Sequence, residues 1–229
     1  MAETSMTQRM ASLARGLQSE HDVAHTAQVV CEAAEAWVGD HVLAGVTLVH
    51  RHRKVETAAA TSDLVRRGDE LQYELREGPC LDAAWENEQI YSRDLCDEGR
   101  WPTWGPRVVH ELGFRSMFCI RLFTNEDTLG ALNLYAREVD SFDRAAQDDA
   151  IAIAAHAAVA VAAAQEIATL TVAVDRRTTI GKALGIVMER YQVDDHAAFR
   201  LLTRLSSQGN LKVFAIADEL VKTGRLPEG

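Results

Sequence analysis

Residues 180–191, IGKALGIVMERY, decide the fold of the carboxyl-terminal part of this chain. Apolar side chains recur there at the i, i+3, i+4, i+7 spacing, which places one stripe of a helix in a core. The stripe consists of Ile180, Ala183, Leu184, Val187, Met188 and Tyr191. Lys182 and Glu189 fall on the opposite face. The segment is therefore predicted to be an amphipathic helix that packs against further helices.

Two more amphipathic helices are predicted to follow. The second begins at Asp194 or Asp195, since either carboxylate can accept the free amides of a first turn. Gly209 is expected to supply the left-handed conformation that ends this helix, and Asn210 to cap the third helix. Gly224 follows the last apolar turn of the third helix. The tail is therefore predicted to be a three-helix unit.

The charge of the tail differs from that of the rest of the chain. Residues 175–229 contain nine Lys and Arg against seven Asp and Glu, whereas residues 1–174 contain 15 against 27. The local balances are +2 and −12, which together give the net charge of −10. A mildly basic unit beside an acidic body suggests that the tail binds a polyanion. A three-helix packing unit without a ligand fits the same pattern.

The order of small, apolar and polar residues in the tail resembles the ANTAR domain. The resemblance covers about the last 50 residues, and it implies an RNA-binding module of bacterial transcription antiterminators. In that family a dimer binds paired stem-loops in nascent messenger RNA and prevents an overlapping terminator hairpin. The matching positions are Ile180 to Arg190, Ala198-Phe199, Leu202, Leu205-Ser206, Asn210, Lys212 and Ala217. At Leu184 the family usually carries Lys or another polar residue, so one candidate phosphate contact is missing.

The candidate RNA contacts combine cations with short amide and hydroxyl groups, which suit the phosphates and unstacked bases of a hairpin loop. They are Lys182, Arg190, Arg200, Arg204, Ser206, Ser207, Asn210 and Lys212. Ser206 and Asn210 can equally form local turn or cap bonds, and Arg200 can be a solvated charge. The resemblance favours Asn210 and Lys212 as contacts.

A DNA-binding regulator is the main alternative, because the corner between the second and third helices could be a helix-turn-helix. A recognition helix places polar residues at its amino-terminal end, where they meet base edges. This third helix instead begins with Leu211, Val213 and Phe214 and continues to Asp218 and Glu219. Reading of the major groove is therefore the poorer interpretation.

The preceding region alternates predicted helices and strands, an order that favours one sheet with helices packed on it. An amphipathic helix over residues 21–38 comes first. β-rich runs follow at residues 42–49, 55–60, 89–92, 116–123 and 129–136, and helical stretches lie near 62–75, 79–86 and 100–113.

This region resembles a GAF domain of the kind found in front of ANTAR domains in actinobacteria. The matching positions are Gly78 to Ala83, Asp94-Leu95, Arg100 to Pro102, Gly113 to Ser116 and Leu129 to Leu134. The resemblance implies an α+β sensor in which helices flank an antiparallel sheet. The Asn-Lys-x-Phe-Asp-Glu constellation of cyclic-nucleotide-binding members is absent, so the signal is an unknown small molecule or protein. Candidate ligand contacts are Cys80, Trp85, Arg100 and Trp101.

The predicted organisation is a helical extension at residues 1–19, a GAF-like sensor at 20–165 and an ANTAR-like domain at 166–229. A long helix over residues 143–172 joins the two domains, with 11 alanines among positions 150–168. Ile151, Ala155, Ala158 and Ala162 form one candidate stripe for a homodimer of close-packed helices. Packing of this helix on its own sheet fits the periodicity equally well.

The chain is predicted to be cytoplasmic, without a membrane span, a cofactor or a metal site. Its apolar run at residues 150–164 is too short to span a bilayer, and His21 and His25 lack a third metal ligand. The four cysteines, Cys31, Cys80, Cys96 and Cys119, have no CxxC spacing. No catalytic residue is predicted; a GAF-fold thiol-dependent methionine sulfoxide reductase is the less favoured alternative.

Overall fold

The computed structural model describes residues 6–18, 22–39, 41–50, 54–124 and 128–226. His21, one of the two histidines considered above, lies outside these ranges. The chain divides into two compact units, Met1–Glu166 and Ile167–Gly229.

The first unit is α+β, as the sequence predicts. Its helices are α1 (Met6–Gln18), α2 (Val23–Val38), α3 (Asp63–Leu75), α4 (Pro79–Trp85) and α5 (Trp104–Leu112), followed by the first part of α6 (Arg144–Tyr191). Its strands are β1 (Val42–Val49), β2 (Val55–Ala60), β3 (Gln89–Ser92), β4 (Ser116–Phe123) and β5 (Thr128–Ala136). All five predicted strands are confirmed within one residue.

The five strands form one antiparallel sheet in the order β2-β1-β5-β4-β3. β5 pairs with β1 along most of its length, so that Val46 lies opposite Leu132. Close to this pair a Cβ on Gly130 would lie 1.8 Å from the carbonyl oxygen of Thr47. Glycine at this position therefore permits the two central strands to approach.

Helices cover both faces of this sheet. On one face α2 and the first part of α6 pack against alternate strand residues such as Phe118 and Leu122. On the other face α3, α4 and α5 pack against the intervening residues, including Met117 and Cys119. Because side chains alternate across a strand, β4 contributes to two separate cores.

Helix α6 differs from the prediction, which ended the joining helix at residue 172. It is one helix of 48 residues that includes residues 180–191. No proline occurs in it and no glycine precedes Gly181, so nothing in the sequence interrupts the helix near residue 172.

The predicted dimer stripe on α6 is mostly occupied by the first unit's own core. Ala158 is buried, and Ile151 and Ala162 are partly buried against that core, whereas Ala155 is exposed. Three of the four positions therefore agree with the alternative prediction, in which this part of the helix packs on its own sheet.

By length and composition alone α6 could cross a membrane, and 22% of its most apolar 18-residue window is buried. Its first part belongs to the core of the first unit, where Ile153, Ala157 and Val161 are fully buried. Packing on the sheet thus accounts for the apolar character of that part.

The second unit contains the end of α6 with α7 (Asp195–Gly209) and α8 (Val213–Thr223). Its fully buried apolar residues are Ala183, Val187, Ala198, Leu202, Ile216, Ala217 and Leu220. Met188 and Tyr191, predicted to be buried, are exposed. Two short helices provide a smaller contact surface for α6 than the sequence stripe implies.

The helix ends of the second unit follow the predicted chemistry except at the corner between α7 and α8. The prediction that Asn210 caps the third helix is wrong, because Lys212 is the N-cap residue of α8. The Asp194 carboxylate accepts the amide of Ala197 at the start of α7. Asn210, not Gly209, takes the left-handed conformation after α7, with φ of 48°. Gly224 ends α8 with φ of 69°, as predicted. Asn210 can replace glycine there because its short polar side chain tolerates positive φ.

Candidate functional site

A shallow groove runs along the outer surface of α7. Arg200 and Arg204 lie one helical turn apart beside it, and Ser207 continues the same side. Ala197, Leu201 and Thr203 complete its lining. Within the described ranges neither guanidinium forms an ion pair, and both residues are exposed. The groove therefore presents two available cations to an anionic ligand.

The serine hydroxyls of this region are engaged locally. Ser206 Oγ donates to the carbonyl of Leu211 at 2.5 Å, and Ser207 Oγ donates to the carbonyl of Thr203 at 3.0 Å. The local turn bond that the sequence left open for Ser206 is thus formed. With its proton used, each hydroxyl can still accept a hydrogen bond from a base amino group but cannot donate to phosphate.

The corner between α7 and α8 adds two exposed polar residues. Asn210 occupies the left-handed position after α7, and Lys212 is the N-cap residue of α8. The Lys212 side chain makes no capping bond, so the first amides of α8 have no side-chain acceptor from their own cap. Free amides beside an ammonium group favour an anion such as phosphate at this corner.

Two predicted contacts lie on α6, away from the groove lining. Lys182 is exposed, and Arg190 donates from Nη2 to the carbonyl of Gly224 at 2.9 Å, which satisfies the end of α8. Leu184, where the ANTAR family usually has a polar residue, is partly buried against the core of the second unit. Arg176 lies over the ring of Phe214, 5.6 Å from its centroid. The spacing of residues in the sequence does not predict this contact between Arg176 and Phe214.

The first unit contains a buried polar network that the sequence analysis missed, here called the Asp69 cluster. It joins β1, β2 and β5 to α3 and the start of α4. Its members are Thr47, Thr57, Asp69, Gln72, Tyr73, Cys80, Asn133 and Tyr135. Asn133 and Tyr135 are more than 60 residues from Asp69 in the sequence, and the pairing of β5 with β1 brings them beside it.

Asp69 is the centre of the cluster and is fully buried. Its carboxylate accepts from the Tyr135 hydroxyl at 2.6 Å, from Asn133 Nδ2 at 3.0 Å and from Thr57 Oγ1 at 3.0 Å. Burial raises the pKa of Asp69 to about 6, although these donors oppose the rise. A Cβ on Gly45 would lie 3.2 Å from the same carboxylate, so glycine lets α3 approach β1.

Two family matches account for most of the chain. The GAF domain family matches residues 20–162, and the ANTAR domain family matches residues 168–221. The chain belongs to the GAF–ANTAR family. The ANTAR domain makes it an RNA-binding antitermination regulator, and the GAF domain gives it a sensor for a small-molecule or protein signal. None of the curated proteins matches the chain significantly.

Solved structures resemble the GAF part of this GAF–ANTAR protein in fold. The GAF domain of a phosphoenolpyruvate-protein phosphotransferase from Coxiella burnetii is 13% identical, with a TM-score of 0.55 over 72% of this chain and 96% of its own. The corresponding Acinetobacter domain is 12% identical, with a TM-score of 0.54 over 70% and 94%. A free methionine-R-sulfoxide reductase from Neisseria meningitidis is 15% identical, with a TM-score of 0.53 over 70% and 90%.

The predicted ligand residues of the GAF domain lie in different surroundings. Cys80 is fully buried, and Trp101 is buried with its Nε1 donating to Asp82 at 2.8 Å. Arg100 is more exposed; it pairs with Glu98, donates to the carbonyl of Tyr91 at 2.9 Å and lies 4.4 Å from the Trp101 ring centroid. Trp85 is half-buried at the end of α4. Ligand contact with Cys80 or Trp101 requires that this side of the domain open.

The three buried thiols of the GAF domain do not have the character of nucleophiles. Cys31, Cys80 and Cys119 are buried, and burial raises the pKa of all three, to about 12 for Cys80. Cys80 Sγ donates to Thr47 Oγ1 at 3.3 Å within the Asp69 cluster. A thiol held in its protonated form is a poor nucleophile, so this GAF–ANTAR protein lacks the activated thiolate of a reductase at these positions.

Proposed function

We propose that this protein binds paired stem-loops in nascent messenger RNA and prevents formation of an overlapping terminator, under control of a signal received by its GAF domain. The groove of α7 supports this proposal, because it presents Arg200 and Arg204, which form no ion pair with any described residue, inside the segment matched by the ANTAR family. The exposed corner of Asn210 and Lys212 directly follows α7 in the chain and adds an amide and a cation. Terminator competition needs differential binding to one RNA fold and no catalytic group.

RNA is favoured over duplex DNA by the residues at the start of α8. Val213 and Phe214 are half-buried and Ile216 is fully buried, so the first turn offers few polar side chains to base edges. The exposed Glu219 lies farther along the same helix and would repel phosphate. A loop of RNA, in contrast, can place its phosphates on the cations of α7.

The working form in this proposal is a cytoplasmic homodimer that associates through α6. The predicted joining helix, residues 143–172, supplies most of the contact, although the original stripe is largely used inside the first unit. Ile167, Leu170 and Val174 are exposed at the i, i+3, i+7 spacing of a coiled-coil seam. Pairing of two copies would cover these side chains and hold two RNA-binding tails together.

Binding of a tandem-hairpin RNA, compared with a DNA duplex of equal charge, tests the nucleic-acid assignment. The full-length protein should bind the RNA more tightly, by a factor of about ten or more, across a salt titration. Replacing both Arg200 and Arg204 with alanine should remove most of this preference. Equal binding to both nucleic acids, or no RNA binding at low salt with and without cell extract, would contradict the proposal.

The solution mass tests the dimer. Wild-type protein should sediment as a dimer, and Leu170→Glu should shift it to the monomer because the seam would contain two buried carboxylates. Val172→Glu, an apolar-to-acidic substitution at an exposed position two residues away and off this seam, serves as the matched control. A wild-type monomer at working concentration refutes this part of the proposal and leaves the RNA experiment unaffected.

A further inference from the structure

Phe199 on α7 is a large apolar side chain that lies outside the core of the second unit. It is 46% exposed, although its neighbour Ala198 and the later Leu202 are fully buried. Phe199 is not among the residues packed against that core. Among the described residues, no other aromatic ring and no guanidinium lies over its ring. Both faces of the ring therefore lack a stacking partner within the described part of the chain.

The ring lies along one edge of the α7 groove. Thr203, which lines the groove, follows Phe199 by one helical turn, and Arg200 is the next residue in the chain. The Thr203 hydroxyl donates to the carbonyls of Phe199 and Arg200, at 3.0 Å in each case. Its proton is therefore used by the backbone of the helix. This edge of the groove presents a phenyl ring beside the cations Arg200 and Arg204.

A ring beside cations suits a nucleic acid whose bases are unstacked. Guanidinium groups attract phosphates, and an exposed aromatic ring offers a flat face on which a base can stack. The paired bases of a stem are already stacked on one another, whereas the bases of a hairpin loop have free faces. Phosphates occur in both stem and loop, so the cations alone do not distinguish them. The ring supplies the interaction that only a loop can use.

We propose that Phe199 stacks on one unpaired base of a hairpin loop while Arg200 and Arg204 hold the adjoining phosphates. This inference rests on the proposed function and deepens it, because it gives the RNA surface a means of selecting loops over stems. A second copy of the chain fits this face less well. A two-fold contact through it would bring the guanidinium groups of both copies together.

Fluorescence anisotropy with two tandem-hairpin RNAs tests the stack, one with intact loops and one whose loop bases are replaced by abasic nucleotides. Full-length wild-type protein should bind the intact RNA about tenfold more tightly than the abasic RNA. Phe199→Leu keeps an apolar side chain but removes the ring, so this variant should bind both RNAs with the affinity that the wild type has for the abasic RNA. Its log–log salt slope should equal that of the wild type, because no cation is removed.

Two further variants control for the loss of a ring. Phe199→Tyr retains an aromatic face and should restore the preference for intact loops. Tyr191→Leu removes a ring that is 50% exposed at the end of α6 and outside the groove lining, and it should leave both affinities unchanged. Thermal unfolding of Phe199→Leu should match that of the wild type, since the ring is outside the core.

Several results would overturn the stack while leaving RNA binding in place. A wild type that binds the two RNAs equally, or a Phe199→Leu variant that keeps the preference, would show that no base stacks on this ring. Equal weakening of both RNAs by Phe199→Leu would show that the ring acts through the structure of the domain. A lower solution mass of this variant would show that a second copy covers the ring. Absence of wild-type binding to either RNA would instead contradict the proposed function, and the stack with it.

Discussion

The Asp69 cluster and the α7 groove are both polar, but they differ in burial and in pairing. Asp69 is fully buried, and its oxygens accept from at least three side chains. Arg200 and Arg204 are exposed and, within the described ranges, outside any ion pair. Polar groups that satisfy one another hold a domain together, whereas polar groups left unpaired in solvent are available to a ligand. The difference supports a structural role for the first region and is consistent with the RNA-binding role proposed for the second.

Asp69→Ala should produce the largest effect on stability. It leaves the donors of Thr57, Asn133 and Tyr135 buried without their acceptor, at an expected cost of about 3 kcal/mol in the free energy of unfolding. Glu70→Ala, the next residue on the exposed side of α3, should change it by no more than about 0.5 kcal/mol. Denaturant unfolding followed by tryptophan fluorescence reports the first unit, because all four tryptophans lie within residues 1–166. Equal losses in the two variants would mean that the cluster has no special structural role.

The pH dependence of stability gives the next largest effect. The folded pKa of Asp69 is about 6, above the ordinary value of 3.8, so the folded state binds its proton more tightly than the unfolded state. Stability from this group therefore falls as pH rises between about 4 and 6, by at most about 3 kcal/mol, and is constant outside that window. Acids paired with arginine, such as Asp94 and Asp140, have lowered pKa values. The stability that they contribute to the folded protein is lost as the pH falls below this window.

Unfolding measured at intervals from pH 4 to pH 7 checks this sign. Asp69→Asn should flatten the fall in stability across the window, since the amide does not titrate. A wild-type slope that persists in Asp69→Asn would show that another group is responsible; Asp149, whose pKa is also raised by burial, is the next to test.

The salt dependence of RNA binding tests the binding role proposed for the α7 groove and the neighbouring corner. Arg204→Ala and Lys212→Ala should each weaken binding by about 1 kcal/mol and reduce the log–log salt slope by nearly one. Lys222→Ala is the matched control, because Lys222 already pairs with Asp218 at 2.7 Å. Its slope should remain close to that of the wild type. A slope unchanged in both test variants would remove the groove and corner from the RNA interface.

Arg190→Ala should have the smallest effect on stability. It tests a residue that has both a structural hydrogen bond and a predicted contact with RNA. Its bond to the carbonyl of Gly224 suggests a structural contribution of about 1 kcal/mol, although the residue is also a predicted RNA contact. Hydrogen exchange at the amides of α8 should accelerate several-fold in the variant. If exchange is unchanged while the salt slope falls by one, Arg190 acts as a phosphate contact and not as a support for α8.

Much of the fold could be predicted from local pattern. The alternation of residues 42–49 and 116–123 predicted β1 and β4 with their observed ends. Asp194 and Gly224 act as helix ends in the predicted way, because capping depends on a few adjacent residues. The length of α6 was missed because the pattern of residues 180–191 predicts a helix but not where that helix begins.

The candidate sites likewise divide into one that local sequence predicts and one that it does not. The cations of α7 could be identified from their spacing of four residues, which places Arg200 and Arg204 on one side of any helix. The Asp69 cluster could not, because a lone Asp in an amphipathic helix is usually solvated. Nothing near position 69 indicates that Asn133 and Tyr135 will donate to it.

The sequence by itself determined most of the secondary structure, the two-domain order and the cationic face of the tail. Each of these depends on residues that are close together in the chain. The tertiary structure alone decided which polar groups are satisfied and which remain free. The pairing of β5 with β1 buries Asp69 among donors more than 60 residues away. Such juxtapositions depend on long-range packing, which local periodicity does not encode.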